Sequence, residues 1–187
     1  MQLYALCDQQ MLDRHKLSLH HFLEIALIHH PVIIQYRNKT GDIADLKKAL
    51  IEIRKHFEGY LIVNDAYELI DYCDGVHIGQ EDMQKIDSDP IRAISLLRDI
   101  IGRDKLLGLS THNAQEIESA NRLDLNYIGL GAYRSSTTKE VTHVLGATLD
   151  TLAAASRHPV AAIGGVKLDD TFLHVTYHVI GSGLLER

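Results

Sequence analysis

"LIVNDAYELIDYCDGVHIGQED", residues 61–82, holds most of two short apolar runs, "YLIVND" (60–65) and "DGVHIG" (74–79), separated by "AYELIDYC" (66–73). Each run has the length of a strand and lacks clean polar alternation, as expected where both faces of a parallel sheet are covered. The connector has room for only about two helical turns. The first run ends in Asn64 and Asp65 and the second is followed directly by Gln80, Glu81 and Asp82, although a plain turn needs only Gly, Asn or Ser.

Six further runs of the same kind lie outward from this pair: "LYALCD" (3–8), "VIIQYR" (32–37), "LLGLST" (106–111), "YIGLGA" (127–132), "PVAAIGG" (159–165) and "HVIGSG" (178–183). Between most of them the apolar period changes to that of a helix. "LSLHHFLEIALI" repeats apolar residues three and four apart, and "DIADLKKALIEIRKHF" puts Leu46, Leu50 and Ile53 on one face. "DPIRAISLLRDII" opens with Asp89 as N-cap and Pro90 at the first helical position. "NAQEIESANRL" and "ATLDTLAAASR" complete the set.

Eight strands alternating with helices predict an α/β fold, a closed (β/α)₈ TIM barrel formed as a single domain over residues 1–187. The alternative is an open doubly wound sheet, but its first-turn glycine fingerprint is absent after "LYALCD". The sequence stops at Arg187, directly after the eighth run, whereas such barrels usually take about 250 residues. The expectation is a shortened barrel with the last helix reduced or missing. Apolar surface near strands eight and one should then be uncovered, which predicts a homo-oligomer.

Composition is that of an ordinary globular domain, with 45% hydrophobic and 24% charged residues. A formal net charge of -6 argues against nucleic-acid partners. No apolar stretch is long enough for a membrane span. "MQLYALCDQQ" has no secretory pattern, so the expected compartment is cytoplasmic. Cys7 and Cys73 are far apart in sequence and read as core residues rather than a disulfide or a zinc knuckle.

A barrel places its chemistry where the strands end. That rim collects Asp8, Arg37, Lys39, Asn64, Asp65, Gln80, Glu81, Asp82, Ser110, His112, "YRSSTTK" (133–139), Gly164, Gly165 and Ser182. Asp65 and Asp82 are hard oxygen donors suited to Mg²⁺, which takes one or two carboxylates and completes its shell with water and substrate phosphate. The alternative is that they cap helices or turns. Arg37 and Lys39 can present cations to a phosphate chain or form a solvated loop, and Lys139 adds a third cation beside hydroxyls. Gly164-Gly165, followed by a short helical segment, and "GSG" (181–183) fall after strands seven and eight, where backbone N–H groups often bind phosphate. Of twelve His residues, the "HHFLEIALIHH" group reads as surface, His77 as structural or pocket-lining, and His112 as either a loop residue or a proton-transfer group.

These stretches, above all "LIVNDAYELI" with "DGVHIGQED", and also "QYRNK", "LGLSTHNAQEIESA", "YIGLGAYRSSTTK" and "PVAAIGGV", resemble the thiamine phosphate synthase and thiazole tautomerase family. The resemblance covers nearly the whole chain in family order. It implies a barrel that couples a pyrimidine diphosphate to a thiazole phosphate with Mg²⁺ and releases diphosphate. By position, Arg37, Lys39, Asn64, Ser110 and Lys139 resemble the diphosphate-holding residues, and Asp65 and Asp82 the metal ligands. Ser136, Thr138, Gly165 and Ser182 resemble the group around the thiazole phosphate. The resemblance casts Ser110 and Lys139 as catalytic, together with His112, which occupies the position of the tautomerases' proposed proton-transfer residue. Ser136 stands where the family usually has Thr, and "RSS" replaces its Pro-Thr after the sixth strand. The alternatives are a metal-free thiazole phosphate tautomerase, and a barrel that binds a thiamine precursor or a partner protein without turnover.

Overall fold

The computed structural model describes residues 2–135 and 144–185. Eight parallel strands close in chain order: β1 (Gln2–Asp8), β2 (Ile33–Arg37), β3 (Tyr60–Asn64), β4 (Gly75–Ile78), β5 (Leu106–Thr111), β6 (Tyr127–Leu130), β7 (Val160–Ala162) and β8 (Tyr177–Ile180). The ring closes through β1 and β8, where Tyr4 faces Val179 and Ala5 faces Ile180. The fold is the expected barrel.

Alternate residues along each strand face opposite ways, and the chain uses the two directions differently. The outward set, including Ala5, Ile34, Leu61, Val63, Val76, Leu107 and Ile128, merges with the helices into one core. The inward set includes a smaller cluster of Tyr4, Leu6, Ile33, Ile62, Tyr127, Ala161 and Val179. Two tyrosines in so narrow an interior need a gap opposite them. A Cβ on Gly108 would lie 2.2 Å from the Tyr127 ring, so only glycine fits there.

The helices are α1 (Gln9–His15), α2 (Leu19–Ile28), α3 (Ile43–His56), α4 (Gln80–Ile86), α5 (Pro90–Ile101), α6 (Ala114–Ala120) and α7 (Thr148–Ala153). Asp42, Asp89 and Asn113 cap α3, α5 and α6 by accepting from Asp45, Ile91 and Glu116 N–H. The connector after β3 is a 3₁₀ turn over Tyr67–Tyr72, as its length required. Both cysteines are free and buried.

The β7–β8 connection departs from expectation. No helix follows Gly164-Gly165; residues 163–176 are turns and irregular chain. Their backbone is satisfied by other partners. Asp150 on α7 accepts from Leu173 and His174 N–H at 3.0 and 2.9 Å, and Thr176 N–H donates to Val160 O at 2.8 Å. Among the described residues β8 is followed only by a 3₁₀ turn, Ser182–Leu184. Phe172 packs edge-on against His178 and so covers part of β8. Within the β7–β8 connection Leu173, at 89%, and Leu168 are exposed, as are Ile28, Tyr60 and Ile91 elsewhere. No described helix is long and apolar enough to cross a membrane.

Candidate functional site at the C-terminal rim

Asp65 sits one residue beyond β3 with φ of 60°, the left-handed conformation that Asp tolerates better than most side chains. Its N–H bonds to His77 O, and its Oδ1 accepts from Gly79 N–H at 3.2 Å. The turn therefore locks the end of β3 onto the end of β4 and aims the carboxylate over the rim. Asp82 lies in the first turn of α4 rather than in a loop. Glycine at position 79, where a Cβ would stand 3.3 Å from Asp82 Oδ2, keeps that approach clear.

The two acids converge on one cation. Lys39 Nζ is 2.6 Å from Asp65 Oδ2 and 3.5 Å from Asp82 Oδ2, so both oxygens face a single ammonium. Lys85 Nζ reaches the other Asp82 oxygen at 2.6 Å. Burial pushes the Asp82 carboxyl up, but its bonds to Lys85 and Lys39 outweigh that and hold it below the usual carboxylate range. Two carboxylates that already face one ammonium are hard-oxygen donors suited to a divalent ion. No cluster of three or more His, Cys, Asp or Glu with metal-site geometry occurs among the described residues. An ion here would thus draw its remaining ligands from solvent or a bound phosphate.

Among the described residues, Arg37 and Ser110 fall on the same rim. Arg37, at the end of β2, donates through Nη1 to Oδ2 of Asp8, the fully buried N-cap of α1. Ser110 lies near the end of β5, where its backbone O accepts from Gln80 Nε2 at 2.7 Å.

A polar chain through the barrel interior joins Ser110 to Asp65, and sequence reading missed most of it. Tyr4 OH donates to Gln35 Oε1 at 2.8 Å, and Gln35 Nε2 donates to Asn64 Oδ1 at 2.8 Å. Asn64 Nδ2 in turn donates to Asp65 Oδ2. Tyr127 OH lies 2.9 Å from Tyr4 OH, and His77 Nδ1 lies 3.1 Å from Tyr127 OH. His77 Nε2 is 2.9 Å from Ser110 Oγ. Each hydroxyl has one proton, so Tyr4 spends its own on Gln35 and Tyr127 spends its own on Tyr4. His77 Nδ1–H then donates to Tyr127, and in that tautomer Nε2 accepts from Ser110. Every donor in the chain points the same way, from Ser110 toward Asp65. Burial pushes both tyrosine hydroxyls up, so they act as neutral positioning groups rather than acids. The available signals were the single Gln in "VIIQYR" and the Tyr and His inside otherwise apolar runs.

His112 is placed differently. Its Nδ1 is 2.9 Å from Glu116 Oε2, which also accepts the His112 N–H at 2.8 Å, so the residue closes the N-terminus of α6. Ser136, Thr138 and Lys139 lie outside the described residues.

At the opposite side of the rim, Gly164 and Gly165 have φ of 88° and 65°. The chain after β6 is laced onto them: Tyr133 N–H donates to Ile163 O at 2.9 Å and Arg134 N–H to Gly164 O at 2.8 Å. Among the described residues, the N–H groups of Gly164, Gly165 and Val166 have no acceptor. Successive unpaired N–H groups in a turn form a concavity suited to an anion. The turn holding Ser182 lies alongside, since a Cβ on Gly183 would be 3.6 Å from Val166 O.

Fold and rim together define a parallel (β/α)₈ barrel with an acid pair and cations at one side of its C-terminal end and a backbone anion cradle at the other. The family model for thiamine monophosphate synthase matches residues 3–181, and the chain belongs to that family. It is 36% identical over 142 residues to the thiamine-phosphate synthase of Lawsonia intracellularis, covering 72% of this chain and 61% of that protein. To the thiamine-phosphate synthase of Clostridium acetobutylicum it is 31% identical over 171 residues, covering 88% and 76%. The chain spans 61% and 40% of the lengths of the Lawsonia and Synechococcus relatives. Among solved structures, thiamine phosphate pyrophosphorylase from Pyrococcus furiosus superposes with a TM-score of 0.74 at 21% identity. That match covers 97% of this chain and 85% of the other, and it supports the same fold.

Proposed function

We propose that this chain is a Mg²⁺-dependent transferase that couples hydroxymethylpyrimidine diphosphate to thiazole phosphate. The bond from the pyrimidine methylene to the diphosphate oxygen breaks, and the thiazole nitrogen supplies the electron pair of the new C–N bond. Diphosphate leaves with the electrons of the broken bond. The observation that carries this reading is the convergence of Asp65 and Asp82 on the Lys39 ammonium, on the barrel of a thiamine monophosphate synthase family member.

Asp65 and Asp82 would hold the ion, which when bound supplies positive charge to the departing diphosphate. Lys39 and Arg37 add fixed cations beside it. Asn64, held by Gln35, and Ser110, held by His77, offer polar contacts to the same anion. No side-chain nucleophile is required, because holding the two reactants together at a charged rim supplies the main advantage.

Incubation with both phosphorylated precursors, with and without Mg²⁺, tests the proposal by product mass. The coupled product should form only with the metal. Its absence under both conditions, with either precursor bound, would leave a binding barrel instead. We also propose a homo-oligomer, supported by the exposure of Leu173 and Leu168; a monomeric mass by light scattering at assay concentration would overturn it.

A further inference from the structure

We propose that Arg134 is a specificity residue that recognises the phosphate of the second substrate, with Asp170 holding its place until that phosphate arrives. This rests on the reading above that the second substrate is a thiazole phosphate.

Arg134 stands where the chain leaves β6 and lies directly over the cradle at the end of β7. A Cβ on Gly165 would lie 2.9 Å from Arg134 Cβ, and Arg134 Nη1 donates to Gly165 O at 2.7 Å. The guanidinium also rests on the Tyr133 ring, 4.2 Å from its centroid, and that ring packs against Phe172. Its plane and position are therefore set by neighbours other than the acid.

The acid itself is a geometric stand-in for a phosphate. Nη1 and Nη2 of Arg134 each bond one oxygen of Asp170 at 2.6 Å, the parallel fork that guanidinium offers equally to carboxylate and phosphate. The Arg134 side chain is 42% exposed, so water and small anions can reach the pair. Asp170 loses little if Arg134 turns away, because its Oδ2 also accepts from Lys167 N–H at 2.8 Å. Beside this fork lie the N–H groups of Gly164, Gly165 and Val166, which have no acceptor among the described residues. Those dipoles favour an anion but provide no full charge. A dianionic phosphate seated on them would offer Arg134 a more highly charged acceptor than the carboxylate. The guanidinium would then exchange Asp170 for phosphate oxygens while its backbone stays fixed to Gly164.

The test compares thiazole phosphate with its dephosphorylated alcohol at saturating pyrimidine diphosphate and Mg²⁺. Arg134→Gln should raise KM for thiazole phosphate about 10–100-fold, the scale of a lost charged hydrogen bond, while KM for the alcohol and for pyrimidine diphosphate stays within about twofold. Arg134→Lys should fall between wild type and Arg134→Gln, because it keeps the charge but not the fork. Asp170→Asn frees the guanidinium and should lower KM for thiazole phosphate.

An unchanged KM in Arg134→Gln would overturn the proposal. So would an equal loss with the alcohol, or a rise in Asp170→Asn matching that in Arg134→Gln, since a purely structural clasp predicts those results. If the wild-type chain makes no product, the transferase reading fails. Calorimetric binding of thiazole phosphate to wild type and Arg134→Gln still decides the role of Arg134: equal affinity overturns it, and weaker binding by the variant supports it.

Discussion

Replacing Asp65 by Asn and, separately, by Ala should separate the charge of this residue from its backbone role. Asn keeps the shape, tolerates a φ of 60°, and retains an oxygen for Gly79 N–H. What it loses is ionisation, and hence the pair with Lys39. Because the Asp65 side chain is 22% exposed and that of Lys39 43%, the pair is screened and contributes at most about 1 kcal/mol to folding. Ala removes much more. It puts a poorly suited residue in the left-handed conformation, which costs about 1–2 kcal/mol. It also strips the acceptor from Gly79 N–H and Asn64 Nδ2, and the combined loss should be about 2–4 kcal/mol. Urea denaturation should therefore order stability as wild type, then Asn close behind, then Ala well below. Diphosphate release should fall by about 10²–10³ in both variants, the scale of removing one preorganised electrostatic group from a reacting site. An Asn variant with turnover within twofold of wild type would refute the proposed role of the charge. Equal stability of Asn and Ala would refute the role of the turn.

Gly108→Ala should cost about 1–3 kcal/mol and lower Tm, because the new methyl overlaps the Tyr127 ring; adding Tyr127→Leu should restore part of the loss. His178 is buried, its Nδ1 has no hydrogen-bond partner among the described residues, and burial lowers its pKa from the ordinary 6.5. The unfolded chain then binds more protons just below pH 6.5, so stability is full above that value and declines as pH falls toward the folded pKa. His178→Leu should reduce that slope in denaturation curves measured across the range; an unchanged slope would assign the acid sensitivity elsewhere. Mg²⁺ added with inorganic diphosphate should stabilise wild type by about 2.7 kcal/mol at a hundredfold excess over Kd, seen as a higher Tm, and should do so far less in Asp82→Asn. Equal shifts would place the ion away from Asp82.

The barrel was legible because each of its strands is a short run bounded by turn residues, and because the caps Asp42, Asp89 and Asn113 mark where α3, α5 and α6 begin. The rim was legible for a related reason: once the strands are counted, the last residue of each falls at one end of the barrel. Two parts were not legible. Helix α4 begins at Gln80 after an N-cap glycine that makes no side-chain bond, so Asp82 looked like a loop residue. The lack of a helix after β7 depends on Asp150 and Arg134 satisfying residues 170–174 across distances of about twenty to forty positions, which no local pattern encodes. The interior chain was hidden similarly, because Tyr4, Gln35, His77 and Tyr127 come from four strands and meet only when the ring closes.

That division also explains how a barrel with an irregular β7–β8 connection can keep the side carrying the acid pair ordered. The acid pair stands on β3 and α4, Arg37 on β2, and the interior chain runs through β1 to β6 without using β7 or β8. Its members hold Asn64 and Ser110 by bonds made inside the ring, where the irregular segment 163–176 does not reach. The anion cradle has the opposite dependence. Gly164 and Gly165 are held by Arg134, which Asp170 clasps in turn, while Tyr133 bonds the preceding Ile163; all of these holding residues lie in connections rather than strands. Substitutions in the β7–β8 connection should therefore act on recognition of the second phosphate while leaving the carboxylate pair and its cation in place.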